Sequence, residues 1–116
     1  MIVHHSDSYA ATLVPNMIRM GIDIWQGVMR TNNIPELLEK YGGQIAFMGG
    51  INNADCDRED WNGELVRKAV ARAILDGSKY SFIPFLTAGG PGSTYPGVYA
   101  AVSEEIARVN ANLTDF

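Results

Sequence analysis

A histidine and an aspartate two residues apart close the first apolar run of the chain. The segment "IVHHSDS" places His5 and Asp7 directly after it. Residues i and i+2 of a strand point to the same face, so these side chains converge while His4 points the other way. Imidazole and carboxylate are both zinc ligands, and a catalytic zinc site needs about three protein ligands. The pair predicts a catalytic, metal-binding site or, alternatively, a polar strand end in which His5 donates to Asp7 or Asp7 caps the next helix.

Polar side chains also follow the later apolar runs. Gln26 lies at the second, Asn52 follows the third, and Thr87 follows the fourth. We predict that these three bind substrate, although such side chains can equally bond the local backbone. The loop "TAGGPGST" could hold an anion with backbone N–H groups, or its glycines could serve only the turn. Its spacing matches neither a Walker loop nor a dinucleotide fingerprint.

The single cysteine of the chain, Cys56, cannot form an internal disulfide, and CxxC zinc spacings are absent. It lies in the polar segment "NNADCDRED", where Arg58 is the one cation near enough in sequence to lower its pKa. We predict a surface or capping-loop thiol without a catalytic role.

The elements that must position these residues alternate between strand and helix. Apolar runs predict strands at Ile2–His5, Asp23–Val28, Gln44–Gly50 and Tyr80–Leu86. Helical spacing predicts helices over Tyr9–Met20, over "NNIPELLEKYGG", from an Asp57 N-cap to Gly77, and over Val98–Val109. Pro15 must lie in a first turn or at a kink, and Pro84 indicates an edge strand or a bulge.

Alternating strands and helices predict an α/β fold with a parallel sheet and right-handed crossovers. Four βα units are half the inventory of a (β/α)8 barrel. We therefore expect residues 1–116 to form a single domain that is a half-barrel or a fragment of a barrel. A sheet of this kind has two free edges and one uncovered face unless something pairs with it.

The composition excludes some function classes. The 116 residues carry a formal net charge of −4, with nine Lys and Arg against thirteen Asp and Glu. Without a basic run there is no footprint for nucleic acid or an anionic membrane. No apolar stretch reaches spanning length and no secretory leader is evident, so we expect a cytoplasmic protein.

Three stretches, "HHSDSYAATLVPNMIRMGIDIWQG", "KYGGQIAFMGGIN" and "FIPFLTAGGPGSTYPGVYAAVSEEI", resemble the C-terminal half of the uroporphyrinogen decarboxylase superfamily. The similarity runs from Val3 to Ile106. It implies a (β/α)8 barrel fold of which this chain is the C-terminal half. The superfamily contains the uroporphyrinogen decarboxylases of tetrapyrrole biosynthesis and cobalamin-dependent methyltransferases that work with corrinoid proteins.

The resemblance is nearer to the methyltransferase branch. Those enzymes have His-x-Cys at the first strand end and a cysteine in the last loop, and these three residues hold zinc. His5 matches the histidine and Asp7 stands at the first cysteine, but Phe85–Ala88 contains no cysteine. Decarboxylases usually place a histidine in that last loop, and none is present here. The resemblance thus implies a corrinoid-linked methyltransferase-like enzyme, with a corrinoid protein as partner and zinc at His5 and Asp7.

Half of the barrel mouth is missing from this chain, so we expect no catalysis by the chain alone. Its partner would be the N-terminal half of the barrel or a second copy, and we favour a homodimer. Two alternatives stay open, namely a uroporphyrinogen decarboxylase and a non-catalytic half-barrel that assembles into an oligomer.

Overall fold

The sheet has four parallel strands that follow one another in sequence order. A computed structural model describes residues 1–77 and 81–113, the side chains of 112 and 113 excepted. The strands are β1 (Val3–His5), β2 (Ile24–Val28), β3 (Ala46–Ile51) and β4 (Phe82–Leu86), in the order β1-β2-β3-β4. Every neighbouring pair is parallel, which confirms the predicted α/β class. Tyr80, the predicted start of the last strand, lies outside the described residues.

The α-helices are α1 (Val14–Arg19), α2 (Ile34–Tyr41), α3 (Asn53–Cys56), α4 (Gly63–Asp76) and α5 (Val98–Leu113). As predicted, α2 begins after an asparagine, since the Asn33 side chain accepts from the Glu36 backbone N–H at 3.4 Å. It ends at Gly42. In the part of the chain that the structure describes, no helix is both long enough and apolar enough to cross a membrane.

The first helix is shorter than predicted. A 3-10 turn covers Ala11–Leu13, and the α-helix starts only at Val14, with Pro15 in its first turn. Proline has no N–H and its ring clashes with a preceding helical turn, so an α-helix cannot run through it from Tyr9. Of the two predicted positions for Pro15, a first turn or a kink, the structure has the first turn. The predicted helix start at Tyr9 is wrong.

The helix predicted after an Asp57 cap also begins later. Asn62 is the N-cap of α4, and its Oδ1 accepts from the backbone N–H of Leu65 at 3.0 Å. The Oδ1 of Asp57 instead accepts from the backbone N–H of Tyr95 at 2.7 Å, which links the loop after β3 to the loop before α5. Asp57 is therefore a loop-to-loop contact, and its assignment as the cap of the long helix is wrong.

The helices bury their apolar residues against one face of the sheet. Trp25, Phe47 and Phe82 are neighbours across the strands, and the first two rings meet edge to face with centroids 6.0 Å apart. Phe47 belongs to the core cluster that holds residues of α1 and α2. Ile51, four residues further along β3, belongs to the cluster that holds residues of α4 and α5. We call this side the covered face; right-handed crossovers between successive strands place helices on one side.

The other side of the same strands is the open face. Two rows of cross-strand neighbours form it, and their residues are exposed or half-buried. These residues are Val3, Ile24 and Ala46 in one row, and His5, Gln26, Met48 and Ile83 in the other. Ile83 is 41% exposed. The first row is apolar, and the second combines the polar His5 and Gln26 with the apolar Met48 and Ile83.

Pro84 lies on an edge strand, as predicted. The backbone N–H of Phe47 donates to Ser81 and that of Thr87 donates to Ile51, so odd-numbered residues of β4 bond to β3. Pro84 is an even-numbered residue, so its backbone nitrogen faces away from β3, toward the free edge of the sheet. The N–H that proline lacks would therefore not have bonded to β3.

The "FMGGI" strand contains a glycine where the core admits no side chain. Gly50 has φ +83°, and a Cβ there would stand 2.8 Å from the Cζ of Phe82. The same Cβ would approach the side chain of Ile34 to 3.3 Å. A glycine is required because both the backbone conformation and the space exclude a larger residue.

Candidate functional site

An open cavity of about 380 Å³ lies at the carboxyl ends of the strands. It is lined by residues that follow every strand: Asp7 after β1, Met29 after β2, Asn52 after β3, and Thr87 and Gly89 after β4. In parallel α/β folds this edge of the sheet is where ligands bind, because the connecting loops converge there. The volume suits a small molecule.

Asn53 joins the loop after β3 to the loop after β4. Its Oδ1 accepts from the Thr87 hydroxyl and from the backbone N–H of Ala88, both at 3.2 Å. Its Nδ2 donates to the carbonyl of Ala88 at 2.9 Å. These bonds fix two walls of the cavity relative to each other.

Asn32 performs the same task for the first two loops. The residue is 3% exposed, and its Oδ1 accepts from the backbone N–H groups of Ala10 and Ala11 at 2.9 and 3.1 Å. Its Nδ2 donates to the carbonyls of Ser8 and Met29 at 3.3 and 3.1 Å. All four hydrogen-bonding positions of the amide are used. The loop that carries Asp7 is thereby held beside the loop that carries Met29.

Asn32 and Asn53 are not among the predicted site residues, although the sequence contains a signal for both. An Asn-Asn pair follows both β2 and β3. In each pair one residue occupies the N-cap position of the next helix, and the other bridges two loops. A doubled asparagine after successive strands is therefore a pattern that could have indicated both bridges.

Asn52 has an unusual environment. It occupies the N-cap position of α3, but its side chain makes no capping bond. Among the described residues, its Oδ1 is the one buried side-chain nitrogen or oxygen atom without a hydrogen-bond partner. An unpartnered buried carbonyl costs about 1–3 kcal/mol. Because Asn52 also lines the cavity, a ligand with an N–H or O–H group could supply the missing donor.

His5 lies on the open face beside Gln26, while His4 is in the same cross-strand row as Trp25, as the alternation predicted. At this end of the sheet, Thr87, the residue after β4, lies close to Gly27 of β2. A Cβ on Gly27 would stand 3.0 Å from the Cε1 of His5 and 3.1 Å from the carbonyl of Thr87. The register of β2 shifts at Gly27, whose φ is +96°. Glycine at this bulge thus lets the imidazole lie close to the end of β4.

The predicted zinc site has two of its ligands at this end of the sheet. Asp7 lines the cavity, and His5 is on the adjacent open face. Within residues 1–77 and 81–113, no three His, Cys, Asp or Glu side chains are grouped to share a metal ion. A catalytic zinc needs about three protein ligands, so the donors present in the described chain do not complete a site. The role of His5 and Asp7 toward a metal stays a prediction.

The predicted substrate-binding residues take two positions. Asn52 and Thr87 line the cavity, and Thr87 is 5% exposed with its hydroxyl donating to Asn53. Gln26 is half-buried on the open face, next to His5 and Met48. It lies on the sheet rather than in the cavity lining. A role for Gln26 in substrate contact stays a prediction.

The glycine-rich loop satisfies its own backbone. The Gly90 N–H donates to the Ser93 hydroxyl at 2.8 Å, and the Gly90 carbonyl accepts from the backbone N–H of Ser93 and the hydroxyl of Thr94, both at 3.1 Å. These bonds favour the turn interpretation over an anion cradle. Asp7 is the one ionisable side chain in the described lining of the cavity.

Cys56 is fully buried in the core cluster around α4 and α5, so its prediction as a surface thiol is wrong. The residue does lie in the loop region after β3, within α3. Burial, followed by the nearby charges of Asp55 and Asp57, raises the pKa of the thiol to about 11. A neutral, buried thiol is neither a nucleophile nor a metal ligand at neutral pH.

No protein-family model and no curated protein matches this chain.

Proposed function

We propose that this chain is the C-terminal half of a (β/α)8 barrel of the uroporphyrinogen decarboxylase family, with its ligand site at the carboxyl ends of the strands. The observation that carries the proposal is a cavity lined by residues that follow all four strands. Barrel enzymes assemble their sites in this way. The strand order and the helices on one face support barrel geometry, because a doubly wound sheet reverses its order and carries helices on both faces.

Within that family, the proposed activity is methyl transfer with a corrinoid cofactor in the cytosol. His5 supports this choice, because the methyltransferases place a histidine at the end of the corresponding strand. The described cavity lining also offers no cation to a substrate with several carboxylates, as a uroporphyrinogen has. A bound methylcorrinoid would supply an electrophilic methyl group, and a small thiol would receive it. His5 would accept the proton that the thiol releases.

The other half of the barrel is supplied by a second copy. β1 and β4 are the outermost strands and run parallel to each other. A two-fold axis along the strand direction places β4 of one copy beside β1 of the other, in parallel, at two equivalent seams. Eight strands then close, and the open faces become the interior of the barrel. The N-terminal half of a longer enzyme would fill the same position.

The test is a methylcobalamin assay on the full chain across the concentration range in which it associates. The protein is incubated with methylcobalamin and a small thiol under nitrogen, and cob(I)alamin is followed by its absorbance. We expect turnover that rises with the dimer fraction and is lost in His5→Ala. His4→Ala is the matched control, since His4 is the preceding residue on the other face of the same strand.

The outcomes separate the two candidate functions. Turnover by an associated protein that depends on His5 and not on His4 supports the methyltransferase. Association without turnover at any concentration contradicts it and assigns the non-catalytic half-barrel, which the exposed apolar residues Val3 and Ile83 of the open face favour.

A further inference from the structure

Three side chains of the cavity lining have oxygen atoms that can still accept a hydrogen bond. The Oδ1 of Asn52 has no donor. The hydroxyl hydrogen of Thr87 is directed at Asn53, which leaves its oxygen lone pairs free to accept a bond. The carboxylate of Asp7 adds two acceptor oxygens and a negative charge. A ligand that satisfies these three groups must bring donors.

Most of the other side chains that line the cavity are aliphatic or bonded within the protein. Met29, Ala54 and Ala88 contribute aliphatic surface. The Ser93 hydroxyl accepts from the Gly90 N–H and is used within its own turn. No Lys, Arg or His side chain is part of the described lining. An anion would therefore meet the charge of Asp7 without a compensating cation.

We propose that this cavity binds a small organic cation with N–H donors and an aliphatic chain, of the alkylammonium class. The ammonium donates to Asn52, Thr87 and Asp7, and the alkyl chain packs on Met29 and Ala54. The inference rests on the proposed function only for the position of the site. It adds the charge and hydrogen-bonding class of the ligand, which the family resemblance does not provide.

The test compares probes of equal size and opposite charge on the unmodified protein. Propylammonium and propionate are titrated at fixed ionic strength and pH 7, and backbone amide shifts are followed by NMR. We expect propylammonium to shift the amides of Ala54, Ala88 and Gly89 in a saturable manner, and propionate to leave them unchanged. Equal or stronger shifts with propionate overturn the inference, as does the absence of cavity shifts with propylammonium.

A third probe separates charge from hydrogen bonding. Tetramethylammonium carries the positive charge but has no N–H donor. We expect it to bind at least about threefold more weakly than propylammonium, because the Asn52 and Thr87 oxygens stay unpartnered. Equal binding of the two cations overturns the role of the acceptor oxygens.

Variants locate the site. Asp7→Asn removes the lining charge, and we expect the dissociation constant of propylammonium to rise at least about threefold. Glu59→Gln is the matched control, since it changes net charge equally but at an exposed residue outside the cavity lining. Equal weakening in both variants overturns the assignment to this cavity. The unmodified-protein titrations do not depend on how these variants fold.

The result is distinguishable from that of the methylcobalamin assay. Selective propylammonium binding without methyl transfer supports this inference and contradicts the proposed enzymatic activity. Methyl transfer with propionate bound in the cavity contradicts this inference and supports the activity.

Discussion

The two faces of the sheet use the same strands for different purposes. On the covered face, Trp25 and Phe47 are fully buried and pack edge to face. One residue further along, the neighbouring row on the open face holds Gln26 and Met48, both half-buried, and ends in the exposed Ile83. The helices cover the first row, whereas the second row has no comparable layer in the described chain.

This difference indicates where the stability of the monomer comes from. Full burial of a large apolar side chain contributes about 1.5–3 kcal/mol, and the covered face has most of these residues. The open face contributes less to the monomer because its side chains keep part of their exposure. Its free apolar area, together with His5 and the cavity beside it, is available for association and for ligands.

The largest expected difference in the free energy of unfolding is between two adjacent residues on opposite faces, Phe47 and Met48. Phe47→Ala removes a fully buried ring, and we expect a loss of about 3–5 kcal/mol in the free energy of unfolding. Met48→Ala, the next residue on the open face, should cost the monomer about 1 kcal/mol or less. Urea denaturation at low protein concentration measures both values. If Phe47→Ala does not fold, Phe47→Leu provides a smaller, measurable loss on the same face.

Equal losses at positions 47 and 48 would contradict the division into two faces. They would mean that the open face is as well packed as the covered face in the monomer. Denaturation over a range of protein concentrations controls for association. If the dimer buries the open face, Met48→Ala should lower the free energy of unfolding more at high protein concentration than at low.

Two asparagines allow a comparison between a polar side chain that stabilises the fold and one that has an unused acceptor. Asn32→Ala leaves buried backbone groups of Ala10 and Met29 without their bonds, and we expect a loss of about 2–3 kcal/mol. Asn52→Ala removes an oxygen that has no partner, so it should be neutral or slightly stabilising. The same denaturation experiment measures both. A large loss for Asn52→Ala would show that its side chain serves the fold and not a ligand.

Association through the open face should be sensitive to charge. Ile83→Asp places a carboxylate in the open-face row that also holds Gln26 and Met48. We expect the dimer dissociation constant to rise at least about tenfold, since an unpaired charge must be desolvated. Sedimentation velocity across a dilution series measures the change. The exposed Leu75→Asp is the matched control on α4, and it should leave the dissociation constant unchanged. A monomer at all concentrations for the unmodified chain would contradict the proposed dimer.

Much of the fold follows from local patterns in the sequence. The strand bounds that fall on described residues were predicted to within about two residues, because apolar runs between turns are strong signals. The end of α2 at Gly42 and the edge position of Pro84 follow from single-residue stereochemistry. The predicted start of α4 was wrong because the polar loop before it contains several residues that could cap a helix. Asp57 instead accepts a bond from Tyr95, which is 38 residues away in the sequence.

The candidate site was only partly accessible from the sequence, for a physical reason. Asn52 and Thr87 were selected because they follow strands, and both line the cavity. The bridges made by Asn32 and Asn53 depend on which loops become neighbours, and the sequence order alone does not state that. Burial of Cys56 was missed because its acidic neighbours suggested a solvated segment, while the α3 turn directs the thiol into the core.

The smallest expected effect on the free energy of unfolding comes from Cys56. It tests whether the segment after β3 is packed into the core of the covered face. Its pKa is raised from the ordinary 9.0 to about 11, mainly by burial, so the folded state disfavours the thiolate. The stabilising contribution is complete below pH 9 and is lost as the pH rises through 11, because the unfolded chain releases the proton first. We expect the free energy of unfolding to fall over this range more steeply than in Cys56→Ala. Iodoacetamide at pH 8 should label the native protein slowly and the urea-unfolded chain quickly; equal labelling rates would place the thiol on the surface.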